Sequence, residues 1–344
     1  MPHTVLIPDE TLNRAADYLR SLNCDESQPG KRLQAKLAEN PKPDITVPDF
    51  LGTLLNTKLP QIFAESAISG DGSDWNQTEL GLLGDISIPV PVTVFDNANH
   101  TAPVIHPTPF QGTLVYTPGA LLRNDRGHTP ADWTEVTEPG GRFDPEGYYR
   151  LYERRLLPVF RYINQSAAAK NKPALITIPG LGCGCFAGPF AGSLGKELET
   201  VLRRFLEKHG AGFPDIGTVY FDPFNECENM QSTHHGISLR TRPLLQGNQR
   251  KSQLCPPTAF EETGDDFSGC LLFSIVAWDH VSWPGNDFFA GSRCTDDGVK
   301  AAATDSMYAI TGVEGSYNTK QNAYLPPSPF RNWAEVVLQN NLRL

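Results

Sequence analysis

The sequence predicts an α/β fold in which helices cover a central β-sheet. From residue 150 onward, short apolar segments with the length of buried strands alternate with longer segments whose apolar residues recur at helical spacing. Such alternation is typical of a sheet whose strands are connected by helices that pack on its faces. Ligands of such sheets bind beyond the carboxyl ends of the strands, so a site is expected in the loops after residues 178, 221 and 277.

Composition narrows the classes of protein and partner. The length of 344 residues predicts one large elaborated domain or two domains. A net charge of −10 argues against a nucleic-acid partner, because proteins that bind nucleic acid carry basic patches. No apolar run approaches the ~20 residues that span a bilayer, so no membrane partner is expected. The seven cysteines show no paired Cys-x-x-Cys spacing and the first residues do not resemble a signal peptide, which together predict reduced thiols and a cytoplasmic location.

The N-terminal part, residues 1–69, is predicted to be helical, whereas the rest of the chain alternates between strands and helices. Its apolar residues recur at helical spacing, and no motif appears in it. A polar, glycine-containing turn at residues 70–74 marks a boundary. The prediction is therefore an N-terminal helical extension over residues 1–75 and a larger domain over residues 76–344. Two roles are open for the extension: a helical cap on the larger domain, or a module that binds a partner.

The segments after residue 80 alternate between strand and helix character. In chain order they are strands 82–97 and 111–117, helix 148–169, strand 174–178, helix 189–208, strands 218–221 and 270–277, and helices 297–310 and 332–342. Pro89 and Pro91 favour an edge position for the first strand, because proline cannot donate a hydrogen bond to a neighbouring strand. Pro158 predicts a kink or a restart in the first of these helices. The segment around His234 and His235 is interpreted as an exposed loop.

Four glycines fall within residues 179–188, between a predicted strand and a predicted helix. Glycine allows the backbone to turn its N–H groups inward, and such groups at the start of a helix bind phosphate. Neither the Walker loop nor the dinucleotide-binding fingerprint matches this spacing. A tight strand-to-helix turn is one interpretation, but four glycines exceed what a turn requires, so a cradle for a diphosphate is favoured. The residues predicted to bind this ligand are Gly182, Cys183, Gly184, Cys185, Phe186, Ala187 and Gly188.

Cys183 and Cys185 within this loop raise the question of a metal site. A Cys-x-Cys pair can bind a metal, but no second cysteine pair or histidine cluster lies near it in the sequence. No metal is therefore predicted. Both thiols are expected to pack beneath the glycine loop as small, soft side chains.

The stretch from Trp278 to Asp305 supplies several carboxylates after a buried strand. Asp279 directly follows that strand, Asp287 lies eight residues later, and Asp297 lies ten further on. These intervals do not place the three on one helical face, so they converge only if the loop folds back. Three such carboxylates can bind ribose hydroxyls, hold a divalent cation or activate water.

The neighbouring polar residues have simpler explanations. Thr295 or Asp296 is interpreted as the cap of the helix that begins at Asp297. Asp305 is expected on the exposed face of that helix or in a salt bridge. Arg293 is expected either to neutralise one of the carboxylates or to bind phosphate groups of a ligand.

Two of these stretches resemble a known family. Residues 178–188, Ile-Pro-Gly-Leu-Gly-Cys-Gly-Cys-Phe-Ala-Gly, resemble the second phosphate loop of macrodomains, which are ADP-ribose-binding α/β/α folds. The pattern Trp-Asp-x7-Asp-x9-Asp-Gly that begins at Trp278 is similar to that of the divergent macrodomain hydrolases typified by the effector MavL. Members of that family remove ADP-ribose from arginine, including arginine of ubiquitin, and use three aspartates at these intervals. The resemblance covers about residues 80–344 and does not include the N-terminal helices.

The resemblance implies a macrodomain-like three-layer α/β/α sandwich with an N-terminal helical extension. It implies two partners, ADP-ribose and an ADP-ribosylated protein, with ubiquitin as one candidate for that protein, and it implies no cofactor. Asp279, Asp287 and Asp297 would be catalytic. Trp278 would join the glycine-loop residues in binding the ligand.

Other features bear on how far the resemblance extends. Residues 96–99 only loosely match the Asn-Ala-x-Asn loop of ordinary macrodomains and no glycine cluster follows them, so no catalytic role is implied there. The glutamate pair of poly(ADP-ribose) glycohydrolases is absent as a motif, which argues against cleavage of poly chains. The ring that stacks on adenine or the distal ribose would come from one of four residues, Trp278, Trp283, Phe288 and Phe289, although each of them taken singly is expected in the core.

Three functions are open on the sequence alone. The leading hypothesis is hydrolysis of the N-glycosidic bond between an arginine side chain and ADP-ribose. The second is a reader module that binds ADP-ribose without hydrolysing it. The third is a metal-dependent phosphohydrolase whose aspartates hold Mg²⁺.

Overall fold

A central sheet of seven strands forms the middle layer of the protein. The computed structural model describes residues 4–39, 45–62, 73–123, 129–248 and 251–344. The strands are β1 (Ile88–Asp96), β2 (Ile105–Pro118), β3 (Ala174–Pro179), β4 (Ile216–Asp222), β5 (Met230–His234), β6 (Ile237–Thr241) and β7 (Leu271–Trp278). Their order across the sheet is β1-β2-β7-β3-β4-β6-β5. The five inner strands are parallel, and β1 and β5 pair antiparallel at the two edges.

Helices precede, connect and follow these strands. Within the described ranges they are α1 (Asp9–Asn23), α2 (Lys31–Glu39), α3 (Val47–Leu55), α4 (Gln77–Gly84), α5 (Trp133–Val136), α6 (Pro145–Lys170), α7 (Leu194–His209), α8 (Asp296–Ala302), α9 (Ser306–Thr311) and α10 (Trp333–Gln339). A small hairpin of β8 (Ser316–Asn318) and β9 (Ala323–Leu325) precedes α10. Across the described part of the chain, no helix combines the length and the apolar character that crossing a bilayer requires.

The helices cover both faces of the sheet. α6 and α7 pack on one face, to which Ile176 of β3 contributes. α8, α9 and α10 pack on the other face, to which the adjacent residue Leu175 contributes. Successive residues of a strand point to opposite faces, so an inner strand of this sheet is apolar on both sides. This arrangement confirms the predicted α/β fold with helices on both faces.

The N-terminal helices pack at the carboxyl end of the sheet. α1, α3 and α4 share an apolar cluster with Leu121, from the loop after β2, and with Val281, from the loop after β7. These helices therefore support the loops in which a site is expected. The predicted boundary turn at residues 70–74 lies mostly outside the described residues, and the division at residue 75 stays a prediction.

The first strand begins later than the sequence predicts. Residues 77–84 form α4, whose first turn is fixed by a capping box between Asn76 and Glu79. Strand geometry starts only at Ile88. The predicted edge position is confirmed, because β2 is the neighbour of β1 within the sheet and β1 ends the strand order.

The predicted single helix 297–310 is two helices, α8 and α9. Between them the chain runs along the open edge of β1. The N–H of Phe95 donates to the carbonyl oxygen of Ala303 at 2.8 Å, and the N–H of Thr93 donates to Asp305 Oδ1 at 2.7 Å. These bonds interrupt the helix and cover part of a strand edge that would otherwise be unpaired. The prediction that Asp305 lies on an exposed face or in a salt bridge is therefore wrong, since its side chain binds the backbone of β1.

Two other local predictions differ from the structure. The segment around His234 is the β5–β6 hairpin, and only its turn, at His235 with a φ of +50°, has loop geometry. β5 lies at the sheet edge with alternate residues exposed, so it needs few apolar residues and gives a weak strand signal. Of the two alternatives at Pro158, a restart of α6 is wrong, because the helix runs unbroken from Pro145 to a left-handed cap at Asn171, and a kink stays a prediction.

Candidate functional site

The loops after β2, β3 and β7 meet at the carboxyl end of the sheet. Gly119, just after β2, donates its N–H to the carbonyl oxygen of Trp278 at 3.4 Å. A Cβ atom on Gly119 would lie 2.3 Å from the backbone nitrogen of Gly182, so the two loops approach too closely for any larger residue. Tyr152 of α6 supports the junction, because its hydroxyl donates to the carbonyl oxygen of Leu181 at 2.5 Å. The loop after β2 therefore lies between the glycine loop, which follows β3, and the acidic stretch, which follows β7.

Left-handed backbone angles shape the glycine loop. Gly182 and Gly188 have φ angles of +70° and +55°, which residues with a side chain rarely adopt. A Cβ atom on Gly188 would also lie 2.4 Å from the carbonyl oxygen of Leu122. Residues 185–190 then form a 3-10 segment, and α7 begins only at Leu194, later than predicted. The loop is thus longer than a simple strand-to-helix turn.

A cavity of about 690 Å³ borders the outer side of this loop. Gly184, Cys185 and Gly188 line one wall, and Arg123 and Trp133, from the segment after β2, line the other. Gly184 is exposed, and within the described residues its backbone N–H has no hydrogen-bond partner. A free N–H group on a glycine with open space around it suits an anionic group such as phosphate.

The seven residues predicted for this loop fall into two groups. Those that line the cavity are Gly184, Cys185 and Gly188. Those that are buried or half-buried beneath the loop are Gly182, Cys183, Phe186 and Ala187. Burial raises the pKa of the Cys183 thiol, whereas Cys185 is exposed. The prediction that both thiols pack beneath the loop is therefore confirmed for Cys183 and wrong for Cys185.

Asp279 lies at the end of β7 and is 5% exposed. Its Oδ1 accepts hydrogen bonds from the backbone N–H groups of Val281 and Ser282, both at 2.7 Å. Its Oδ2 accepts from the Ser282 hydroxyl at 2.5 Å. The carboxylate therefore fixes the turn by which the chain leaves the strand, and it carries its negative charge to the edge of the sheet.

Asp287 is held against the first turn of α8. Its Oδ2 accepts from the backbone N–H groups of Cys294 and Thr295 at 3.0 and 2.9 Å. Its Oδ1 is buried and has no partner among the described residues. A Cβ atom on Gly298 would lie 1.7 Å from this oxygen, so only glycine at position 298 leaves room for the carboxylate. One oxygen of Asp287 is thus fixed and the other is unpaired.

Asp297 completes the group of three and is 4% exposed. Its Oδ2 accepts from the backbone N–H of Asn286 at 2.9 Å, and its Oδ1 accepts from the Thr295 hydroxyl at 2.5 Å. Burial and then the negative charges of Asp287 and Asp279 raise the pKa of Asp297 well above its ordinary value. The loop therefore folds back and brings the three aspartates close enough for their charges to interact.

The other polar residues of this stretch, from Trp278 to Asp305, stabilise the local fold. Thr295 caps α8 as predicted, since its hydroxyl accepts from the N–H of Gly298. Asp296 accepts from the backbone N–H of Ala277 at 2.8 Å and thereby ties α8 to β7. Arg293 pairs with Asp96 at 3.1 Å. The expected pairing of Arg293 with a carboxylate of its own stretch is therefore wrong, because its partner lies at the end of β1.

One family of known proteins matches almost the whole chain. The match is to the family described as macrodomain effector MavL, and it covers residues 3–330. The chain belongs to the MavL macrodomain effector family. The seven-stranded sheet with helices on both faces is accordingly a macrodomain-like α/β/α sandwich. A search among curated proteins found no match.

Membership in the MavL family has two consequences for the site. It associates the chain with ADP-ribose, either as a ligand or as the group released by hydrolysis. The family match also begins earlier in the chain than the motif resemblance. It starts at residue 3 and includes the N-terminal helices, whereas the motifs indicated a resemblance over about residues 80–344 only. The N-terminal helices thus fall within the part of the chain that matches the family.

In this MavL-family structure the four aromatic candidates for stacking are core residues. Trp278, Trp283, Phe288 and Phe289 are each at most 3% exposed. The ammonium group of Lys58 lies over the Trp278 ring, 3.8 Å from its centre. Stacking of a ligand on Trp278 stays a prediction. The aromatic residue that does line the cavity beside the glycine loop is Trp133.

A buried ionic network holds the loops after β2 and β7 to α6. Arg155 of α6 donates to Asp132 Oδ1 at 2.7 Å and to the carbonyl oxygen of Gly119 at 3.0 Å. His280 Nε2 lies 3.1 Å from Asp132 Oδ2. Burial acts to raise the pKa of Asp132, but the charges of Arg155 and His280 outweigh it and hold that pKa well below its usual range.

Sequence reasoning did not find the residues of this network. Arg155 is one position in a helical pattern, and His280 stands next to Asp279 without any motif of its own. The signal for such a network is a charged residue on the buried face of a helix, which Arg155 provides. In the described ranges, no three His, Cys, Asp or Glu side chains are arranged to hold a metal ion.

Proposed function

We propose that this protein is an ADP-ribosylhydrolase that removes ADP-ribose from modified arginine side chains of proteins. Ubiquitin is one candidate for the modified protein. Membership in the MavL macrodomain family supports ADP-ribose as the group that is bound. The observation that carries the hydrolytic function is the cluster of Asp279, Asp287 and Asp297, in which the charges of Asp287 and Asp279 act on the buried Asp297 and help to raise its pKa.

The proposed reaction breaks the bond between a guanidine nitrogen and the C1″ carbon of ribose. As this bond breaks, positive charge develops on the ribose ring, and nearby carboxylates stabilise it. Water adds to C1″, and the leaving guanidine takes up a proton. The products are free ADP-ribose and an unmodified arginine.

The geometry supports different roles for the three aspartates. Asp297 has a raised pKa, so it can donate a proton to the leaving guanidine. Asp287 has one oxygen fixed by backbone N–H groups and one unpaired, so it can accept a proton from water or stabilise the charge at C1″. Asp279 has both oxygens bonded within its own turn, which suits a residue that positions the site and supplies negative charge.

The glycine loop would hold the diphosphate of ADP-ribose. The exposed N–H of Gly184 points to this role, as does the position of the loop on a cavity of about 690 Å³, within the size range of ligand pockets. No cofactor is part of the proposal. We also propose that the protein acts in a reducing, cytoplasmic-type compartment, because none of its seven cysteines is paired.

The proposal is tested with a panel of proteins that carry ADP-ribose on arginine, on serine or on acidic residues. Mass spectrometry of the proteins and of released ADP-ribose should reveal turnover of the arginine-linked substrate. Asp279→Asn, Asp287→Asn and Asp297→Asn variants should each lose activity. Asp17→Asn should retain it, because Asp17 is exposed on α1.

Other outcomes of this experiment favour the other functions. Binding of ADP-ribose without release of product would identify a reader module. Loss of activity in a chelator with release of phosphate or a nucleotide monophosphate would identify a metal-dependent phosphohydrolase. Cleavage of serine- or glutamate-linked substrates but not of arginine-linked ones would overturn the linkage, and full activity of all three aspartate variants would overturn the proposed site.

A further inference from the structure

Lys58 brings a positive charge from the N-terminal part of the chain to the end of β7. It follows α3 and is 3% exposed. Its Nζ donates to the carbonyl oxygens of Asp279 and His280 at 3.2 and 2.8 Å. The same ammonium group lies 3.8 Å from the centre of the Trp278 ring. One side chain thus contacts three consecutive residues, and the middle one is the first aspartate of the candidate site.

The backbone of Lys58 and of the next residue, Leu59, is fixed to the same loop. The N–H of Leu59 donates to the carbonyl oxygen of Val281 at 2.9 Å, and the N–H of Trp283 donates to the carbonyl oxygen of Leu59 at 2.7 Å. The Trp283 indole N–H donates to the carbonyl oxygen of Lys58 at 3.1 Å. Lys58 therefore cannot move independently of residues 281–283, which include Val281 and Ser282, whose N–H groups hold Asp279.

A lysine is a costly residue to bury at this position. Burial lowers the pKa of Lys58 to about 7, although the nearby charge of Asp279 acts in the opposite direction. An apolar side chain of similar length would fill the same space without that cost. The ammonium group adds contacts of defined geometry. It donates hydrogen bonds to two carbonyl oxygens and makes a cation–π contact with one ring face, and no apolar side chain can replace these contacts.

We propose that Lys58 is a positioning residue for the aspartate site. It sets the turn at residues 278–280 through which the Asp279 carboxylate reaches the other two aspartates. The N-terminal helices thereby supply part of the catalytic apparatus rather than only covering it. The first test of this proposal measures release of ADP-ribose and so rests on the proposed hydrolase function. The second test measures amide hydrogen exchange and does not rest on it.

The test compares Lys58→Met with two controls. Lys170→Met removes an exposed lysine at the end of α6. Leu33→Ala weakens the N-terminal apolar cluster and removes none of the hydrogen bonds of residues 278–283. Lys58→Met should lower kcat for release of ADP-ribose about 10- to 100-fold with little change in KM, because the reacting groups are misaligned rather than lost. Lys58→Arg, which keeps a charged donor, should recover part of kcat.

Amide hydrogen exchange gives a readout that does not depend on activity. Lys58→Met should speed hydrogen exchange at the amides of Val281 and Ser282, which bond Asp279. When the two variants are compared at the same loss of global stability, this effect should be larger in Lys58→Met than in Leu33→Ala. Equal effects of Lys58→Met and Leu33→Ala on kcat and on these amides would overturn the proposal, since Lys58 would then act through stability alone. If the wild-type protein releases no ADP-ribose, the hydrolase function fails, and the exchange result alone decides the role of Lys58.

Discussion

Asp297 is a buried carboxyl group beside two other carboxylates, and this makes it unfavourable for folding at neutral pH. Its raised pKa means that, above the unfolded value of about 3.9, the folded chain binds more protons than the unfolded chain. Stability contributed by this residue is therefore present at low pH and is lost as the pH rises toward the folded pKa. A residue kept at such a cost is expected where chemistry requires it.

Replacing Asp297 should separate stability from activity. We expect Asp297→Asn to unfold at a higher temperature than the wild type at pH 8, because a neutral amide removes the repulsion from Asp287 and Asp279. The gain should shrink as the pH falls and vanish below about 3, where the wild-type carboxyl is protonated in both states. Thermal unfolding of the variant, the wild type and Asp17→Asn across this pH range measures the effect. A stability difference that does not change with pH would contradict the interpretation.

Among the structural elements, the glycine loop depends on its backbone angles and on its close approach to the loop after β2. We expect Gly188→Ala to weaken binding of ADP-ribose about tenfold or more, because the new Cβ meets the carbonyl oxygen of Leu122 and alanine disfavours the backbone angles. Calorimetric titration with ADP-ribose measures this. Gly212→Ala is the matched control, since a Cβ there meets nothing within 4 Å. Unchanged affinity in Gly188→Ala would remove the loop from the ligand site.

Elements were predictable from the sequence where local pattern decides the structure. Pro89 and Pro91 indicated the edge position of β1, and the glycines of residues 179–188 indicated a loop beyond a simple turn. The break between α8 and α9 was not predictable in this way. It depends on hydrogen bonds from Thr93 and Phe95, some two hundred residues earlier in the chain. Periodicity reports the local preference for helix and carries no information on such distant partners.

At the scale of the whole molecule, charged groups buried between layers join the N-terminal helices, the sheet and its loops. Asp85 accepts from Thr11 of α1 at 2.8 Å and from Arg154 of α6 at 2.9 Å. Arg155 approaches the same carboxylate at 3.3 Å and pairs with Asp132 on its other side. None of these side chains belongs to a motif, so the sequence predicted the site's aspartates but not the framework that aligns them.

Removing the central arginine of this framework should destabilise the protein strongly. We expect Arg155→Met to lower the free energy of unfolding by about 3–5 kcal/mol, because it leaves buried carboxylates without their partner. Arg161→Met, on the same helix but with a side chain 56% exposed, should change it by less than about 0.5 kcal/mol. Chemical denaturation of both variants tests this. A loss for Arg155→Met no greater than that for Arg161→Met would contradict a structural role for the network.

If the clustered aspartates perform hydrolysis, a change that moves one of them without altering any carboxylate should abolish most of the activity. Gly298→Ala adds a Cβ that would lie 1.7 Å from Asp287 Oδ1, whereas Gly269→Ala adds one that meets nothing within 4 Å. Release of ADP-ribose from an arginine-modified protein, measured in a single turnover, should fall at least ~100-fold in Gly298→Ala and remain unchanged in Gly269→Ala. Equal release by the two variants, both folded, would contradict the claim.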